Sequence, residues 1–465
     1  MKSWPNPNDI AGIDSHQREQ LAIATTSRLG ILGGSPGTGK TYTVAKLVRH
    51  LLDHGLIALH DIGIGAPTGK AAVRLTEMLQ ANGIDVRART EHSMLEIGEH
   101  SETGQWTFLR NEKNPLPYRL LVIDETSMND LSIMLSIFRA RAPGCFVLLV
   151  GDVNQLPPVG NGAPLRDMIQ AGLPYGELRE IKRNSGGIVE ACGLIRDCIP
   201  WTDLTEEPGS NLRITHDTTP TEKLSRIVKL IDESRQAGHD PVWDCQVLVA
   251  VNESSPLSRQ ALNKLLQDEL NPNPKNPGTD FRVADKIVCL KNGFYKSEDP
   301  DGIDHEAKKN ERDEVYVANG ELAEVIDVTE KAVIAKLANP ARVVSILIKK
   351  QNAEPVDESG DDEPEKKQSG TKSNWDLGYA LSVHKSQGSE WPVVIVALDG
   401  YPGAKMICDR AWLYTAISRG KQTVHLVGQA ELAERFCVTQ KIAERKTFLA
   451  DRIKTEIFKN EIDYL

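Results

Sequence analysis

Residues Gly34 to Thr41 read GSPGTGKT, between the apolar run RLGILGG at 28–34 and the amphipathic run TYTVAKLVRHLL at 41–52. Glycines spaced this way, at the exit of a strand and the entry of a helix, let successive backbone N–H groups wrap phosphate oxygens where the helix carries partial positive charge. In that reading Gly34, Ser35, Pro36, Gly37, Thr38 and Gly39 form the cradle, Lys40 reaches the β and γ phosphates of ATP, and the Thr41 hydroxyl binds Mg²⁺. In open α/β sheets such ligands lie beyond the carboxyl ends of parallel strands, so this one stretch constrains the fold around it.

The neighbouring sequence has the required pattern. IGIGAPTGK at 62–70, LLVIDE at 120–125 and CFVLLVGD at 145–152 are further β-rich runs ending in polar or acidic turns, and AAVRLTEMLQ at 71–80 has helical spacing. Strands alternating with helices predict a parallel sheet covered on both faces. QVLVAV at 246–251, VVIVAL at 393–398 and TVHLVG at 423–428 predict a second lobe of the same kind, interrupted in sequence. Within the interruption, FRVADKIVCL (281–290), VYVANGELAEVIDV (315–328), KAVIAKL (331–337) and RVVSILIKK (342–350) lack helical period and carry an Asn-Gly turn, which predicts a small inserted β-barrel. Residues 351–373 turn acidic and rich in Pro, Gly and Ser, the composition of a disordered loop with no catalytic part. In the first lobe, IGEHSETGQWTFLRNEKNPLP at 97–117 predicts a β-hairpin with Trp106 and Phe108 on one face.

Composition narrows the function classes. No apolar run is long enough to span a bilayer, and MKSWPNPNDI lacks the basic start and apolar core of a signal peptide, so a cytosolic location without membrane contact is expected. The seven cysteines form no CxxC pair, as expected for buried free thiols. A net charge of −10 argues mildly against nucleic acid, but the stretch from Glu354 to Glu365 carries much of it, and a basic groove is compatible with an acidic whole.

Two further turns carry chemistry. Asp124 and Glu125 end a strand where a phosphate-binding loop needs a metal-orienting carboxylate and a base for water, so Asp124 is assigned to Mg²⁺ and Glu125 to the attacking water. The turn from Gly151 to Gly160, GDVNQLPPVG, puts the Gln155 amide within reach of a γ-phosphate.

Taken in order, GGSPGTGKT, APTGKAAVRL, VIDETSM, LVGDVNQLPPVG, VLVAVNESSPLSRQALNKLL, YALSVHKSQGSEW and RAWLYTAISRGK resemble the superfamily 1 helicases of the 5′-to-3′ branch, the RecD-like and phage Dda-like enzymes, from about Asp14 to Gly428. The resemblance implies two RecA-like P-loop lobes, residues 1–92 with 118–190 and residues 191–275 with 374–465, a pin hairpin at 93–117, an SH3-like barrel at 276–350 and the acidic loop at 351–373. It also implies roles. Gln17 matches an adenine-reading glutamine, Gln155 the γ-phosphate sensor, and Arg183 and Arg419 two arginines brought to the γ-phosphate from the second lobe. Gly388 and Glu390 match positions beside the phosphate and ribose of ATP. Pro67, Thr68, Gly69 and Lys70, with Asn252 and Ser254, match the two turns that grip a single strand, and His384 and Ser386 match phosphate contacts. His92 aligns with a histidine near the strand path, with a structural histidine as the equal alternative. Trp106 and Phe108 either stack on a base or pack beneath the hairpin.

These implications describe an ATP-dependent motor moving 5′-to-3′ on single-stranded DNA and opening duplexes in replication, recombination or repair. Its partners would be single-stranded DNA, junctions and replication or recombination proteins, and it would act as a monomer. The short sequence before Gln17 favours the compact Dda-like form over a fixed nuclease subunit. An ATP-gated clamp that displaces bound proteins and an RNA-directed motor remain alternatives.

Overall fold

The computed structural model describes residues 3–99, 106–180, 186–298, 314–338, 341–348, 374–445 and 447–462. The expected acidic loop at 351–373 and Arg183 lie outside the described residues.

The first lobe forms around apolar runs that end in turns. Its strands are β1 (Leu29–Gly34), β2 (Ile62–Ala66) and β3 (Arg89–Thr90), followed by a hairpin of β4 (Ile97–Glu99) and β5 (Trp106–Phe108), then β6 (Leu120–Ile123), β7 (Phe146–Gly151) and β8 (Tyr175–Leu178). The sheet order is β3-β2-β6-β7-β1-β8, and its pairings are parallel. Alternate residues feed two cores. Leu32, Val122 and Leu148 join Val44, Leu47 and Leu51 of the helix Lys40–Asp53 on one face; Ile31, Ile123 and Leu149 join Met134 and Ile137 of the helix Leu131–Ala140 on the other. In the hairpin Ile97 faces Phe108 and Glu99 faces Trp106.

The helix Ser15–Ala24 starts at a capping box, with Gln17 N–H donating to Asp14 Oδ1 and Asp14 N–H to Gln17 Oε1. It then lies unusually close to the sheet. A Cβ on Gly30 would stand 1.6 Å from Ala24 O, and one on Gly176 1.9 Å from Gln20 O. These glycines are needed for room.

The second lobe opens with β9 (Leu212–Ile214) and β10 (Cys245–Val249). The chain then builds a separate compact unit, Gln260–Ala380. Its strands are β11 (Lys286–Cys289), β12 (Gly293–Ser297), β13 (Glu314–Val317), β14 (Leu322–Val328), β15 (Ala332–Leu337), β16 (Arg342–Leu347) and β17 (Trp375–Leu377), ordered β13-β12-β16-β15-β14-β11-β17 with antiparallel pairings. The expected run 315–328 is two strands that do not pair with each other, divided at Asn319-Gly320, where Gly320 takes φ +90°.

This unit extends beyond the expected 276–350 on both sides. The reason is a set of buried amides. Asn263 Nδ2 donates to Leu377 O and Ala380 O, while its Oδ1 accepts from Ala380 N–H. Gln267 Nε2, Asn271 Nδ2, Tyr379 Oη and Arg282 N–H all donate to the fully buried Asp285 carboxylate. The helix Arg259–Leu270 and β17 thus pack with the antiparallel sheet, although the sequence placed them in the second lobe.

The second lobe resumes with β18 (Ala380–Ser382), β19 (Trp391–Ala397) and β20 (Gly420–Val427), giving the order β18-β10-β19-β20-β9. After the helix Ala430–Val438 the chain crosses to the first lobe and is held there by a reciprocal clasp. Arg166 donates to Ile442 O and Arg445 O; Arg445 donates to Gly160 O and Gly162 O at 3.1 and 2.9 Å. Thr447 Oγ1 donates to Asp167, and the helix Leu449–Ile462 packs on the helix Pro164–Gln170. Among the described residues, no helix is long and apolar enough to cross a membrane.

Candidate nucleotide and nucleic-acid site

β1 delivers the chain to the phosphate loop, where Gly37 and Gly39 take φ of 81° and 86°. Lys40 Nζ donates to Gly34 O at 2.6 Å and Ser35 O at 3.1 Å, placing its charge inside the loop. A Cβ on Gly39 would stand 2.9 Å from Gln17 Nε2. The close helix packing therefore brings buried Gln17 to the rim of the cradle, with its Oε1 committed to the capping box.

At the end of β6, Thr41 Oγ1 donates to Asp124 Oδ2 at 3.1 Å, and Glu125 N–H donates to Asp124 Oδ1 at 2.8 Å. Burial raises the Asp124 pKa to about 6, the Glu125 charge adds to the rise, and the Glu125 N–H, Lys40 and Thr41 oppose it. Glu125 takes φ 52°, left-handed backbone that a non-glycine side chain occupies at a cost and that recurs at functional sites. Thr41 and Asp124 offer hard oxygen donors, which fit Mg²⁺, an ion that is commonly bound by one or two carboxylates together with water and phosphate. Among the described residues no cluster of three or more His, Cys, Asp or Glu side chains competes as a metal site.

The sensor turn follows β7. Gln155 is buried, and its backbone N–H donates to Asp152 O at 3.2 Å. Asp152 also accepts from Asn154 N–H at 3.0 Å and from the Tyr414 hydroxyl of the second lobe at 2.7 Å. Arg419 donates to Thr415 O, Ser389 O and Ser418 Oγ, so its guanidinium is tied into its own lobe.

ALSVHKSQGSEW spans β18, a short turn of helix at Val383–Ser386 and the start of β19. Glu390 accepts from Arg74 Nη2 at 2.9 Å on both carboxylate oxygens, making an ion pair with the first-lobe helix Gly69–Ala81. Gly388, at φ +74°, lies against Thr68 and Ala71, and Lys70 Nζ stands 5.1 Å from the centre of the Trp391 ring. Gln387 Nε2 reaches Leu156 O of the sensor turn at 3.3 Å. One stretch therefore touches the turn expected to grip a strand and the turn expected to sense phosphate.

Other expected contacts are placed as follows. Ser386 is fully buried and donates its hydroxyl to Val383 O, which takes it off the surface where a strand phosphate would meet it. His384 is partly buried, which lowers its pKa. Asn252 and Ser254 are exposed, and Ser254 takes φ 69°. Pro67, Thr68, Gly69 and Lys70 are half-buried, with Thr68 Oγ1 capping the helix they begin. Phe108 packs against the first-lobe core with its ring 5.7 Å from that of His92, which is the packing alternative for both residues.

The sequence reading missed Arg74, Asp152, Gln387, Trp391, Tyr414 and Thr415. All lie inside or beside its motifs, but each acts through a partner distant in the chain.

Residues 17–161 match the AAA domain profile, and residues 377–427 match the UvrD-like helicase C-terminal domain. The chain is 31% identical to the ATP-dependent RecD2 DNA helicase of Deinococcus radiodurans across 97% of its own length and 54% of that protein. It is 27% identical to the RecBCD enzyme subunit RecD of Mycolicibacterium smegmatis, across 94% of the chain and 74% of that protein. In sequence the chain is similar to RecD-like helicases along nearly all of its length. It spans about half the length of the Deinococcus relative. A crystal structure of a Bacteroides Pif1 helicase with ADP-AlF3 and single-stranded DNA shares the fold of this chain, with a TM-score of 0.51, 16% identity and coverage of 94% of this chain and 96% of that one.

Proposed function

We propose that this chain is an ATP-driven motor that moves 5′-to-3′ along single-stranded DNA and opens duplexes. The observation that carries the reading is the stretch 387–391, which meets the sensor turn through Gln387 and the Thr68–Arg74 segment through Gly388, Glu390 and Trp391. A change at the nucleotide is thereby mechanically shared with the strand.

Lys40 and the loop amides hold the β and γ phosphates. Glu125 takes a proton from water as the water oxygen bonds to the γ-phosphorus and the bond to the β,γ-bridging oxygen breaks, leaving ADP and phosphate. Thr41 and Asp124 would hold Mg²⁺, which neutralises charge on the phosphate oxygens when bound. Gln17 reads the base, Gln155 senses the γ-phosphate, Arg419 supplies second-lobe charge as the cleft closes, and Arg183 is the second arginine for that phosphate. Loss of the phosphate lets the lobes part.

Thr68 with Lys70, and Asn252 with Ser254, form two backbone grips on different lobes. Backbone contacts position without specifying sequence, so the motor is sequence-tolerant. The hairpin β4–β5 serves as the pin that divides base pairs, with Phe108 and His92 anchoring it. The antiparallel unit serves as the SH3-like module of this group. Action as a monomer at junctions in replication, recombination or repair fits these parts, and the seven unbridged cysteines suit the cytosol.

The experiment is strand displacement on matched DNA and RNA duplexes carrying a 5′ or a 3′ tail. Unwinding of 5′-tailed DNA is expected. Unwinding only from 3′ tails would refute the polarity, RNA preference would reassign the substrate, and ATPase without any unwinding would indicate a clamp.

A further inference from the structure

The turn carrying Gln155 is held from the second lobe at three points, none of which belongs to a nucleotide ligand. The Tyr414 hydroxyl donates to Asp152 Oδ2 at 2.7 Å, Leu156 N–H donates to Thr415 Oγ1 at 2.9 Å, and Leu156 O accepts from Gln387 Nε2 at 3.3 Å. Every group in the set is buried; Tyr414 and Thr415 are 0% exposed. Asp152, gripped by Tyr414, also has the Gln155 side chain as a neighbour that favours its charged form, and its backbone O accepts from Gln155 N–H, while Gln155 Oε1 has no partner among the described residues.

A buried peptide must pair both its N–H and its C=O. The Leu156 N–H and C=O both pair with side chains of the second lobe, so separating the lobes strips the turn of these partners and forces it to rearrange. Tyr414 and Thr415 are adjacent on the helix Arg410–Ile417, and Arg419, just beyond its end, donates back to Thr415 O. Gln387 lies three residues before Glu390, the glutamate that pairs with Arg74. The turn therefore receives one input from the helix that leads to Arg419 and another from the stretch facing the strand.

We propose that Tyr414, Thr415 and Gln387 are positioning residues that present the sensor glutamine to the γ-phosphate only when the two lobes are in register. They act through Asp152 and the Leu156 peptide and touch no reacting atom. Their role is to make hydrolysis, rather than ATP binding, conditional on the second lobe. This rests on the ATP-driven reading above. Wild-type ATPase on oligo(dT) is therefore measured first, and its absence would refute that reading before any variant is compared.

The test uses the full chain and the variants Tyr414→Phe, Thr415→Val and their combination. The double variant is expected to lose about tenfold or more in DNA-stimulated kcat, with the Kd of a fluorescent ATP analogue unchanged within about twofold, the split that marks an interaction made after binding. Thr415→Ser, which keeps the acceptor oxygen, restores activity. Tyr414→Phe costs little more in an Asp152→Asn background than Asp152→Asn does alone, because the two residues act as one pair. Wild-type kcat in the double variant, a matching loss of nucleotide affinity, or failure of serine to rescue would overturn the proposal. Should the double variant melt early, the serine and valine forms of Thr415 decide the matter on their own.

Discussion

Glu91 is 1% exposed, with Asn129 Nδ2 donating to its Oε1 at 2.7 Å. Burial raises its pKa to about 8, Asp130 adds to the rise and Asn129 opposes it. The folded protein therefore keeps this proton through a range where the unfolded chain releases it. The stabilisation is fully present below the ordinary glutamate pKa and is lost as pH rises through about 8. Glu91→Gln mimics the neutral acid, so its melting temperature relative to wild type should climb as pH goes from about 5 to about 8.5. Parallel melting curves across that range would show that Glu91 is ionised in the fold.

The contact between the helix Ser15–Ala24 and the sheet is set by glycine. A Cβ at Gly30 would meet a backbone oxygen, which cannot swing aside as a side chain can. Gly30→Ala should push the helix outward, cost about 1–3 kcal/mol in urea denaturation as overpacked cores do, and weaken ATP binding by displacing Gln17. Unchanged stability would mean that the helix is more loosely seated. Element by element, the sequence was readable where local chemistry decides. β1, β2, β6 and β7 are continuous apolar runs because both faces are covered, and each ends in a polar turn. β8, YGEL, buries alternate residues at the sheet edge, and β3 has two residues, so neither carries a strong signal. The helix Arg259–Leu270 shows where it stops being readable. Its pattern says helix, but only Asn263 and Gln267, pairing with groups far along the chain, decide which sheet it joins.

At the scale of the whole molecule the same limit governs the site. Lys40, Thr41, Asp124 and Glu125 were readable because each motif is contiguous. Arg74 with Glu390, and Tyr414 with Asp152, are pairs across lobes, separated by 316 and 262 positions, and no local pattern names either partner. The Arg166–Arg445 clasp belongs to this long-range class. Arg445→Ala removes two hydrogen bonds to the sensor-turn segment and should cost about 1–3 kcal/mol, readable as a lower urea midpoint. An unchanged midpoint would make the clasp incidental. Its position also sets an order of assembly. All strands of the first sheet leave the ribosome long before Ile442, Arg445 and Thr447, yet those residues cover its helix Pro164–Gln170. Domains commonly fold as units while the chain is still being made, N-terminal parts first. Here the first lobe must wait with one flank bare until the late-made strap arrives, which makes the interval before release from the ribosome the stage at which a chaperone would find it.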